Sequence, residues 1–151
     1  MITMYRFWCA LTAFILTAFP VNADVRIEAL ELRAGIDSRP GIIFGKLTNT
    51  GATADRLIRV DSPDARIEMH THEMRGNVMR MRRTDAFLVP ADGNLTLKSG
   101  HHHLMVFDWA LEKQGTPLSL TFKFDESPSI SVSASPGKAY KNEEHKGHKG
   151  H

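Results

Sequence analysis

Cysteine occurs once in this 151-residue chain, at Cys9. It lies in a segment with the composition of an export signal: Arg6 supplies the positive start, Phe7 to Phe19 an apolar run, and Val21-Asn22-Ala23 a small-residue cleavage site. Removal of residues 1–23 after Ala23 is therefore expected, and the mature chain then has no disulfide, no thiol nucleophile and no thiolate ligand. Long apolar runs are scarce too. Phe7 to Phe19 falls short of the roughly 20 residues that span a bilayer, so the chain is not expected to span a membrane once cleaved. An excess of charge of one sign is also missing. Taking Arg6 from 19 basic residues against 17 acidic ones leaves a formal +1, with no basic patch to indicate nucleic acid.

Helix-length amphipathic periods are absent as well; short β-type runs broken by turn residues take their place. Candidate strands cover 25–33, 42–48, 55–60, 66–70, 78–82, 86–89, 95–98, 103–107, 118–124 and 130–134, and Ala110 to Lys113 are read as one helical turn. Asn49-Thr50-Gly51, Arg75-Gly76-Asn77 and Ser99-Gly100 read as turns. A two-residue period in Leu118, Leu120, Phe122, Phe124 and in Val25, Ile27, Ala29 puts those side chains on an inward face. The expected class is all-β, an antiparallel sandwich or barrel forming a single domain over 24–136. Beyond Pro136 the apolar pattern stops, and the polar tail 137–151 is expected to be disordered without a ligand.

What the chain does have is soft-metal chemistry in one stretch. Apart from Met1 and Met4, every methionine (69, 74, 79, 81 and 105) lies between residues 69 and 105, with five of the eight histidines. Thioether and imidazole together, without thiolate, favour copper and particularly Cu(I) over zinc, calcium or magnesium. His103 and Met105 stand two apart in a candidate strand and so share a face. His70 and Met81 flank the turn near Gly76, and a hairpin there brings them within reach of a common point. Met79 shares a face with Met81, and spacing alone leaves both open.

His70, ten residues, Met81, twenty-one residues, His103, one residue and Met105 make a pattern that resembles the signature of the periplasmic CuA copper chaperone family, PCuAC. The words Ile67-Glu68-Met69-His70, Val78-Met79-Arg80-Met81-Arg82 and Val89-Pro90-Ala91-Asp92-Gly93 add to the likeness, which spans residues 24–135. The resemblance implies a cupredoxin-like fold and a Cu(I) site of His70, Met81, His103 and Met105, selecting Met81 over Met79. It also implies a monomeric periplasmic carrier, not an enzyme, that passes copper to the CuA subunit of cytochrome c oxidase and has another copper chaperone among its partners.

Met69, Met74 and Met79 are expected to be apolar filler or rim, Met74 being the best placed of them to assist capture. His72, His101 and His102 are expected to be solvated loop residues. In the tail, His145, His148 and His151 recur every third residue beside Glu143 and Glu144, a nitrogen and oxygen donor set suited to Cu(II). The alternative function is a periplasmic copper buffer or tolerance protein with no oxidase acceptor. An electron-transfer cupredoxin needs the missing thiolate, and an immunoglobulin-like adhesion module would leave the four-position spacing to chance.

Overall fold

The computed structural model describes residues 24–35, 39–110, 113 and 115–137. The proposed leader, the tail histidines and two residues of the expected helical turn at 110–113 lie outside them. Ten strands follow in order: β1 (Val25–Arg33), β2 (Gly41–Asn49), β3 (Asp55–Asp61), β4 (Arg66–Arg75), β5 (Val78–Arg83), β6 (Phe87–Val89), β7 (Gly93–Leu97), β8 (His103–Phe107), β9 (Leu118–Phe124) and β10 (Ile130–Pro136). The all-β expectation holds, and each candidate strand has its counterpart.

Hydrogen bonding runs β5-β4-β8-β2-β1-β10-β9-β3-β6, with β7 pairing β2 beyond the end of β8. All pairs are antiparallel except β1 with β10, where Glu31↔Ser135 and Leu32↔Pro136 make a short parallel ladder, a departure from the purely antiparallel expectation. That ladder joins two halves whose apolar faces share one core. Leu32, Ile43, Leu47, Leu97, Leu104 and Val106 come from one half, and Leu57, Phe87, Val89, Leu118, Leu120 and Phe122 from the other; all are fully buried. Strand β9 follows the expected alternation, with Leu118, Leu120, Phe122 and Phe124 inward.

In β1 the alternation breaks. Ala29, expected to face inward, is exposed at φ 52, because the register shifts between Glu28↔Lys46 and Glu31↔Phe44. Two steps on β2 thus oppose three on β1, which is a β-bulge, and the inward parity moves from Val25 to Leu32.

Two details position the functional face. Strand β4 continues to Arg75, five residues past the expected end at His70, and turns back through Gly76-Asn77 alone. Gly76 has φ 59, which suits the first central residue of a two-residue hairpin turn. Before β8, a turn in which the His101 amide donates to the Lys98 carbonyl at 3.3 Å uses Gly100 at φ 76, again a glycine conformation. The Lys98 amide in turn donates to the His102 carbonyl at 2.8 Å. This turn aims the His101 carbonyl at the face described next.

Candidate metal centre

Antiparallel register decides which side chains share a face, since directly opposed residues point the same way. Strand β4 opposes β8 with His70↔His103 and Glu68↔Met105, and opposes β5 with His72↔Met81 and Met74↔Met79. Glu68, His70, His72, Met74, Met79, Met81, His103 and Met105 therefore lie on one face. It is the face turned away from the core, since Met69, Leu104 and Val106 of alternate positions are buried within it.

At the centre sits His103, only 3% exposed although it belongs to the outer face. Its Nδ1 lies 2.9 Å from the His101 carbonyl oxygen and its Nε2 lies 3.2 Å from the Met81 sulfur. A carbonyl only accepts, so Nδ1 carries the proton and the Nε2 lone pair faces the thioether lone pairs. Two electron donors aimed at each other across 3.2 Å make an arrangement that a soft cation satisfies. Burial, followed by the neighbouring imidazoles of His72, His70 and His102, holds the His103 pKa below its ordinary value against the opposing pull of the His101 carbonyl. The ring thus stays neutral, the form a metal requires.

The structure brings the four expected ligands to one surface without bringing all of them to one point. His70 stands opposite His103, with ring centroids 6.0 Å apart, but its Nε2 is turned to the Glu68 carboxylate at 3.0 Å. That contact lowers the Glu68 pKa, as do Arg66 and Arg83 beside it. It leaves Nδ1 of His70 as the free nitrogen. Met105 lies two residues along β8 from His103, partly buried between Glu68 and Ile42 of the adjoining strands. Met81 is nearly half exposed, at 47%, and its position beside His103 distinguishes it from Met79, which stands two rungs farther out opposite Met74.

Met69 is core filler, as expected, and Met74 and Met79 are rim residues. Two histidines depart from expectation. His72 is not in a loop: it lies within β4, directly opposite Met81, with its ring centroid 5.2 Å from that of His103. His102 is not solvated but packs on Phe87 at 4.7 Å, and burial lowers its pKa. His101 remains exposed. Among the described residues no three His, Cys, Asp or Glu side chains are grouped to hold an ion by themselves. A groove of about 530 Å³ along β3 and β4 includes Glu68 and Met69 but neither Met81 nor His103.

The lowered pKa values of His102 and His103 carry a stability consequence. Between the unfolded value of 6.5 and their folded values the unfolded chain binds more protons, so stability is complete above 6.5 and declines as pH falls below it. The metal-free chain is expected to show a lower urea midpoint at about pH 5.5 than at about pH 7.5; an equal or higher midpoint at the acid pH contradicts the burial of these two rings.

The model of the LpqE-like lipoprotein family matches residues 23–135, all but one of the strand residues described above. The chain belongs to the LpqE-like family. No curated protein matches it. The LpqE-like fold is shared with several solved structures. The copper-bound PCuAC domain from PmoF2 has 23% identity and a TM-score of 0.61, covering 74% of this chain and 91% of that domain. The apo PCuAC domain from PmoF1 has 20% identity and a TM-score of 0.61 over 75% and 92%. Solution structures of DR1885 from Deinococcus radiodurans include a CuI form with 23% identity and a TM-score of 0.52 over 82% of each chain.

Proposed function

We propose that this LpqE-like chain is a periplasmic copper chaperone that holds Cu(I) on its His/Met face and delivers it to the CuA centre of cytochrome c oxidase. The observation that carries the reading is the opposition of His103 Nε2 and Met81 sulfur at 3.2 Å, with the imidazole proton directed away to the His101 carbonyl. That donor pair is soft, neutral and without thiolate, which suits Cu(I). His70 and Met105 on the same face supply the further nitrogen and sulfur. Solved domains of this fold described as copper-bound or CuI-bound support the choice of metal.

Two thioethers and two imidazoles on an open surface hold the ion loosely enough for exchange. Cysteine thiolates of an acceptor would displace Met81 and Met105 in turn, and the chain catalyses no reaction. In the full protein, residues 1–23 direct export and 24–136 form the copper domain. The tail 137–151 collects Cu(II) on His145, His148 and His151, raising its concentration near the domain as a tethered site does.

Transfer tests the reading. Incubated with an apo CuA domain, the Cu(I)-loaded chain is expected to lose its copper as the purple CuA chromophore develops once Cu(II) is also supplied. Copper that stays on the chain in the presence of a folded, reduced acceptor contradicts delivery and favours a buffering protein.

A further inference from the structure

His72 is the imidazole on this face that the four-position spacing leaves unassigned, and its surroundings are those of a ligand. Its Nδ1 lies 3.4 Å from the same His101 carbonyl oxygen that accepts from His103 Nδ1 at 2.9 Å. One main-chain carbonyl thus sets the same tautomer in two imidazoles, leaving both Nε2 atoms with lone pairs. Their rings are 5.2 Å apart, closer than the 6.0 Å between His70 and His103. Met81 is the cross-strand partner of His72 and touches His103, so the three donors form a triangle on the face. His70, by contrast, commits its Nε2 to Glu68.

We propose that His72 is an additional copper ligand of this chain, binding Cu(I) through Nε2 together with His103 and Met81 from the hairpin side while His70 and Met105 approach from the other. The face then offers one imidazole more than a four-coordinate Cu(I) takes, so His72 and His70, whose Nε2 is engaged by Glu68, are alternative second nitrogen donors. His72 lies within β4, three residues from the hairpin turn, on the side of the face where Met81 pairs with it. The inference rests on the copper reading above.

The test compares His72→Gln, His70→Gln and Met81→Ala in the full chain by anaerobic competition for Cu(I) against a chelator, alongside long-range nitrogen–proton spectra of the imidazoles. Glutamine keeps the size and polarity of the side chain but not the imidazole nitrogen. His72→Gln is expected to weaken Cu(I) binding roughly tenfold or more, and Cu(I) is expected to shift Nε2 of His72 and His103 in the unsubstituted chain. If His72→Gln binds Cu(I) within about twofold of the unsubstituted chain and the His72 nitrogens do not shift while Met81→Ala loses affinity, His72 is a bystander and the copper reading stands. If the unsubstituted chain itself retains no Cu(I), the copper reading falls, and this inference with it. Circular dichroism of each variant confirms that the strands are intact, since a folded variant is required for either conclusion.

Discussion

Replacing Met81 and Met105 together by alanine is expected to lower Cu(I) affinity by about a hundredfold or more, or about 2.8 kcal/mol at 1.4 kcal/mol per tenfold, while leaving the fold in place. The two sulfurs are the soft donors of the site, and imidazoles alone offer Cu(I) a harder environment. Met81 is 47% exposed and its truncation leaves no cavity; Met105 is only partly buried, so the double variant retains its core. Competition with a Cu(I) chelator measures the affinity, and urea unfolding of the metal-free variant measures the fold. Unchanged affinity would mean that the thioethers are not ligands. The matching control is Met69→Ala, which removes a buried side chain of the same type from the other side of β4. It should reduce stability and leave Cu(I) affinity per folded molecule as it was.

The second large effect concerns the core. Phe122 is fully buried in β9, opposed by Ile130 of β10 and by Val60 of β3. Phe122→Ala removes an aromatic side chain from the half of the structure that closes over the apolar back of the copper face. A loss of about 3–5 kcal/mol is expected, a large share of the roughly 5–15 kcal/mol that holds a domain of this size. Denaturant unfolding checks it, and a loss below about 1 kcal/mol would show that the two halves do not share a packed core there. Cu(I) affinity of the folded fraction should stay unchanged, because Phe122 and the His/Met face are on opposite sides of the core.

The alternation of β9 and the turn residues around β2 and β8 made most of the strands legible, because burial on one face writes a two-residue period into the sequence. The bulge at Ala29 was also written there, as a change of apolar parity from Val25 and Ile27 to Leu30 and Leu32, but a short β-run does not reveal a bulge without its partner strand. The parallel contact of β1 with β10 joins residues about a hundred positions apart, and no local pattern encodes it.

At the site, residues two apart in β8 made His103 and Met105 a readable pair. What was missed was His72. Thr71, Glu73 and Arg75 lack apolar character, so β4 looked finished at His70 when it in fact runs on as a projecting hairpin whose ladder, not burial, sustains it. The available signal was the glycine of Gly76-Asn77: a two-residue turn there requires the flanking strands to extend inward from it, carrying His72 opposite Met81. The burial of His102 against Phe87 was not readable, since it depends on where β6 lies relative to the turn before β8.

X-ray absorption at the copper edge of the Cu(I)-loaded chain tests the central claim most directly. The account predicts sulfur and imidazole nitrogen together in the first coordination shell, with the sulfur contribution abolished in Met81→Ala/Met105→Ala. A shell of nitrogen and oxygen alone in the unsubstituted chain would contradict it.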